Sequence, residues 1–90
     1  MNSTKKEQEF KAIYEESSDM IFRFCVVRVS DREQALDIVQ ETYMRLWKTM
    51  QNGESVDNIK AFLFTVAHRL IIDWYRKKLK IPIELFGYLD

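Results

Sequence analysis

The chain is poor in the residues that break helices or build covalent and metal frameworks. Its 90 residues include two glycines, one proline, one cysteine and one histidine. So few turn-forming residues argue against a sheet protein and for a few long helices. The lone Cys25 excludes an internal disulfide and fits a reducing cytosol. No Cys/His cluster has metal-ligand spacing and no glycine-rich phosphate loop is present, so no metal and no cofactor are expected. No apolar run approaches the roughly 20 residues of a membrane span. The opening Met-Asn-Ser-Thr-Lys-Lys-Glu has no hydrophobic signal core behind it. The expectation is a cytoplasmic chain with no membrane partner.

What is present suffices for one small domain. Hydrophobic residues make up 47% of the chain and aromatics 13%, enough for a compact core and too much for disorder. The formal net charge of zero hides an asymmetry. Residues 60–80 hold Lys60, Arg69, Arg76, Lys77, Lys78 and Lys80 against Asp73 alone, a net +5, while residues 1–59 carry a net −3. An acidic body with a basic last helix suggests two different partners.

The apolar spacing predicts an all-α bundle of three or four helices. Ser3 or Thr4 caps the first, with Glu7 reaching back. Phe10, Ile13 and Tyr14 give it an apolar side. Ser17, Ser18 and Asp19 form a polar patch read as a break or bend and a new cap. Met20, Ile21, Phe24, Cys25 and Val27 then continue the core, with Arg23 and Arg28 facing out. Ser30 followed by Glu33 reads as a capping box opening the next helix, which ends near Met50. Gly53, in the loop that follows, suits a left-handed backbone position. Asp57 or Asn58 caps the last helix, expected from about Ile59 to Lys78 with Ile59, Phe62, Leu63, Val66, Leu70 and Trp74 buried. Pro82 discourages helix at Ile81. The domain is therefore drawn over 1–80, with 81–90 as the start of a linker or tail.

The segment Asp37-Ile-Val-Gln-Glu-Thr-Tyr-Met-Arg-Leu-Trp47 carries two faces. Leu36, Val39, Tyr43, Leu46, Trp47 and Met50 recur at helical steps as an apolar stripe. Asp37, Glu41, Met44 and Lys48 fall on another side, with Gln40 at the border. Such a face is either an ordinary solvated side, with Glu41 pairing Arg45, or a grip for a basic partner.

Catalysis finds little support. His68 is the only histidine, and the sequence pattern shows no general-base constellation around it. Cys25 sits in the apolar rhythm of Ile21 to Val27 as a small core residue. The chain is not read as an enzyme. The basic end of the last helix has two readings: Arg76, Lys77 and Lys78 complement the helix dipole, or they meet phosphates. Phe64, Trp74 and Tyr75, interleaved with the cations, suit unstacked bases, although the apolar rhythm favours Trp74 as a core residue.

The wording of two segments adds a family. DIVQETYMRLW, followed by NIKAFLFTVAHRLIIDWYRKK, resembles region 2 of the bacterial sigma factors, nearest to the extracytoplasmic-function group. The resemblance runs from about Phe10 to Lys78. It implies that the first segment docks on the clamp helices of the largest subunit of core RNA polymerase through Asp37, Gln40, Glu41 and Met44. It also implies that the loop and last helix hold a flipped-out base of the non-template strand of the promoter −10 element. By position, the DNA-binding residues are then Asn52, Glu54, Ser55, Asn58, Lys60, His68, Arg69 and Asp73, with Arg76 and Lys77 beside them. Many relatives carry Asn where Arg69 stands, so the preferred −10 sequence is not inherited. Cognate anti-sigma factors often cover this kind of domain. Nothing after Lys80 resembles the helix-turn-helix domain that reads the −35 element: either this is an excised domain or the protein is naturally short, and Met1 with the linker-like 81–90 favours excision on the C-terminal side. The alternative is a protein-interaction bundle that binds polymerase or a regulator without reading DNA.

Overall fold

A computed structural model describes residues Thr4–Leu79 as three helices: α1 (Lys5–Val29), α2 (Arg32–Gln51) and α3 (Ile59–Leu79). Each packs on the other two. The tail at 81–90 and Lys80 lie outside the described residues.

Local chemistry sets the helix ends. Thr4 Oγ1 accepts from the Glu7 amide at 3.1 Å, and its hydroxyl donates to Glu7 Oε1 at 3.2 Å. The expected cap forms, with Glu7 reaching back to the Thr4 hydroxyl where a full capping box engages the cap residue's amide. The predicted break at Ser17–Asp19 does not occur; α1 is continuous. Ser17 is buried instead, shares a 2.6 Å hydrogen bond with the Tyr43 hydroxyl and donates to the Ile13 carbonyl. A serine that satisfies its hydroxyl on the preceding turn and on a neighbouring helix has no reason to end its own.

The second capping expectation shifts by one residue. Ser30 ends α1 in the left-handed region at φ 55°, its amide donating to the Val26 carbonyl. Asp31 opens α2, its carboxylate accepting from the Gln34 amide at 3.2 Å. A carboxylate there also answers the positive end of the helix dipole. After α2, Gly53 takes φ 74°, as the sequence led one to expect, and its amide donates to the Met50 carbonyl at 3.1 Å. A Cβ at Gly53 would meet no atom within 4 Å, so the requirement there is conformational, not steric. Of the two candidate caps for α3, Asn58 acts: its side-chain oxygen accepts from the Ala61 amide at 2.9 Å.

The core forms where the three helices meet: Ile21, Cys25 and Val29 of α1, Ala35, Ile38, Val39, Tyr43 and Leu46 of α2, Leu63, Ala67 and Ile71 of α3. Several predicted core positions change. Val27 is 71% exposed and Leu36 47%, while Ile38 and Ile71 are buried. The cause is that α2 is sandwiched. Val39 and Tyr43 lie with Phe10 and Tyr14 of α1, and Ile38 lies with Leu70 and Trp74 of α3. A single-stripe reading finds one of those rows and misses the other. On α3 the buried row is Leu63, Val66, Ala67 and Ile71, while Ile59, Phe62, Leu70 and Trp74 are only half-buried at its edges.

Candidate functional site

The exposed ridge of α2 is the first candidate. Asp37, Gln40 and Met44 are exposed, and the Glu41 side chain is about half open, an exposure common to a solvated side and to a partner-facing one. The four residues divide across the ridge. Gln40 and Met44 border a groove of about 630 Å³ against α1, floored by Phe10, Tyr14, Tyr43 and Trp47. Asp37 and Glu41 border a smaller cavity on the other side, against α3. Arg45 Nε donates to Glu41 Oε1 at 3.2 Å, one turn away, so Glu41 is partly neutralised. Both groups are exposed, which makes this a weak pair that a partner's guanidinium can displace.

The second candidate lies where the α2–α3 loop meets α3. A cavity of about 440 Å³ is lined by Glu54, Ser55 and Asn58 from the predicted set, together with Arg69 further along α3. Sequence reasoning missed Thr49, Val56, Asp57, Ala61, Phe62 and Thr65 as members of this lining. The helical register gives the signal that would have found most of them. Asn58, Ala61, Phe62, Thr65 and Arg69 follow at steps of three and four and share one face of α3. Thr49 comes from α2 and had no local signal.

The other predicted DNA-binding residues lie elsewhere. Asn52 caps the C-terminus of α2 and is exposed, outside this lining. Lys60 borders a different cavity, against Glu16, Ser17 and Met20 of α1. His68 is half-buried and outside the lining. Asp73 and Lys77 border the cavity shared with Asp37 and Glu41. Arg76 pairs loosely with Asp73, Nε to Oδ1 at 3.8 Å. The single predicted DNA surface therefore does not hold together: part of it lines the loop cavity, Lys60 borders another, and Asp73 and Lys77 at the basic end of α3 line a cavity with the acids of α2.

The aromatics interleaved with these cations are engaged in packing. Phe64 meets Phe24 edge-on at 5.0 Å, and the Tyr75 hydroxyl donates to the Arg28 carbonyl. Trp74 stacks edge-on against Tyr75 at 4.8 Å, with Lys78 Nζ 4.7 Å from its ring centre. That cation–π contact keeps Lys78 close to an aromatic surface. Two groups in the core depart clearly from their ordinary titration. Burial pushes the Cys25 thiol up to about 11, against a smaller pull from Arg28. Burial also raises Tyr43, offset in part by its hydrogen bond to Ser17. Neither borders the loop cavity. The described residues hold no cluster of three potential metal ligands, and none of their helices is long and apolar enough to cross a membrane.

Comparison with known proteins gives the family to which these two surfaces belong. The sequence model of the family Sigma-70 region 2 matches residues 13–81. The chain belongs to that family. It is 29% identical over 84 residues to the ECF RNA polymerase sigma factor SigX of Bacillus subtilis, covering 93% of this chain and 43% of SigX. It is 38% identical over 64 residues to the ECF RNA polymerase sigma factor SigL of Mycobacterium tuberculosis, covering 70% of this chain and 36% of SigL. The ECF RNA polymerase sigma factor SigM of Bacillus subtilis is 32% identical over 80 residues, 86% of this chain and 48% of SigM. The chain thus spans less than half the length of each of these relatives. No solved structure matches it.

Proposed function

We propose that this chain docks on core RNA polymerase through the α2 ridge and holds the melted −10 element of promoter DNA at the loop cavity, in transcription initiation. The observation that carries the reading is the separation of the two surfaces. Asp37, Gln40, Glu41 and Met44 stand along α2, while Glu54, Ser55, Asn58 and Arg69 line a cavity between the loop and α3. One small body can then touch polymerase and a single strand at once. Carboxylates and an amide on the ridge suit the Arg and Lys side chains of a basic helical partner, with Met44 as an adaptable apolar contact.

The proposed action is binding and not catalysis. A base outside the stack shows its hydrogen-bonding edge to side chains, and capture of the single strand draws the duplex–open equilibrium toward the open state. The non-template strand is the proposed ligand. An anti-sigma factor would act here by covering the α2 ridge.

The ridge is tested by measuring the affinity of core RNA polymerase for the chain and for Gln40→Ala with Glu41→Lys. Removing charge-assisted hydrogen bonds of about 1.5–3 kcal/mol predicts at least a tenfold weaker affinity, with helicity kept. Unchanged binding would remove the ridge from the reading. A second reading, a bundle that binds only proteins, draws on the position of Lys77 beside Asp37 and Glu41 and on the apolar character of the groove between α1 and α2. Charge reversal at Arg76, Lys77 and Lys78 separates the two. Loss of DNA binding with polymerase binding kept supports the first reading, and no effect on function supports the second.

A further inference from the structure

The loop cavity carries more chemistry than the capture of an unspecified base. Its two ends differ in what they offer. The loop end presents the carboxylates of Glu54 and Asp57, which only accept hydrogen bonds. The far end presents the guanidinium of Arg69, which only donates. Among the described residues the Arg69 side chain has no hydrogen bond or ion pair, and it is exposed. Neither carboxylate has a side-chain partner there either. Between the two ends lie Val56 and Phe62, half-buried apolar side chains against which a flat ring can rest.

The spacing leaves room for a base between the two ends. Arg69 lies eleven residues beyond Asn58 on α3, about 16 Å at a rise of 1.5 Å per residue. Its side chain leans back toward the helix N-terminus, as helical side chains do, and so shortens the gap to the loop. A cavity of about 440 Å³ lies within the range of sites that enclose small planar ligands.

We propose that Arg69, opposed by Glu54 and Asp57, makes this cavity selective for guanine. The proposal rests on the single-strand reading above and adds the identity of the base. Guanine has two acceptors, O6 and N7, on the edge that arginine forks best, and its N1–H and N2–H₂ donors face the other way. The donor end and the acceptor end of the cavity meet those two edges at once. Cytosine carries all its polar atoms on one edge and would leave Arg69 facing C–H groups. Adenine turns its N6 donor toward the arginine beside N7. Thymine offers O4 alone, next to a methyl group.

The test uses the full chain, alone and with core RNA polymerase. Single-stranded oligonucleotides carry dG, dA, dC, dT or 7-deaza-dG at each position in turn. The expected result is one position where dG is preferred over the other bases by about 5- to 150-fold, the range of a good bidentate pair. At that position 7-deaza-dG, which lacks N7, forfeits most of the advantage, and Arg69→Ala abolishes the difference between dG and 7-deaza-dG. Arg69 is exposed, so the variant keeps its fold. Preference for another base, or a dG preference that survives Arg69→Ala, overturns guanine selectivity and leaves single-strand capture standing. Binding that ignores base identity at every position, with and without polymerase, overturns both.

Discussion

Tyr43 joins two helices through a single polar contact inside an apolar core. Its ring packs edge-on against Tyr14 at 4.9 Å and Phe10 at 6.2 Å, and its hydroxyl meets Ser17. Tyr43→Phe keeps the rings and removes the hydrogen bond. The expected cost is about 1 kcal/mol, read as a melting temperature lower by about 4–8 °C. Cys25 and Tyr43 also set a pH dependence. Both are held protonated in the folded chain, Cys25 up to about 11 from an ordinary value of 9.0. Above about pH 9 the unfolded chain sheds these protons first and binds fewer of them than the native state, so stability falls as pH rises. Thermal melts should be flat up to about pH 8 and decline beyond it, and Cys25→Ala should reduce the slope of that decline. The place of Cys25 in the core was legible in its apolar neighbours. The role of Ser17 was not, because its partner lies 26 residues away on another helix and a polar triplet resembles a cap from within its own segment.

At the scale of the element, packing overrides composition in α1. Ser17, Ser18 and Asp19 have the composition of a helix break, yet the helix runs through them because Ser17 is satisfied on both sides. Amide exchange across residues 16–21 should therefore be as slow as in the flanking turns. Rapid exchange confined to that stretch would restore the break. The capping residues were legible to within one position, Thr4 and Asn58 each as one of two neighbouring candidates and Asp31 in place of Ser30, since caps depend on a few neighbouring atoms. The registers of α2 and α3 were less so. A helix packed on two sides buries two rows, and the burial of Ile38 and Ile71 depends on where the other helices lie. For α3, charge reversal at Arg76, Lys77 and Lys78 should flatten the plot of log affinity for single strands against log salt by about 2, at about 0.7 for each phosphate no longer neutralised. An unchanged slope would move the DNA-binding surface away from this end.

For the whole molecule, two surfaces stand on one core that is too small for either to be independent of it. Leu46 is fully buried in α2, behind the proposed polymerase ridge. Leu46→Ala should cost about 2–5 kcal/mol, and such a change removes most of the stability of a domain this size, so polymerase and DNA binding should fail together. Ridge and cavity variants at exposed positions should fail separately. The family and the exposed ridge were legible in the sequence because the segment 37–47 combines a distinctive wording with a helical face. The cavity was legible only in part. Glu54, Ser55, Asn58 and Arg69 come together as anticipated, whereas Lys60, Asp73 and Lys77 fall at other cavities. Only the turn made at Gly53 and the approach of Thr49 decide which residues face one another.

The most direct test is selection of single-stranded DNA from a randomised pool by this 90-residue chain, at two salt concentrations and with scrambled strands as control. The expected result is enrichment of a short motif whose preference persists at the higher salt, since base contacts are screened less than phosphate contacts. Binding that is blind to sequence and vanishes with salt, both for the chain alone and with core RNA polymerase bound, would leave only electrostatic attraction and would contradict the claim that this domain reads a melted promoter element.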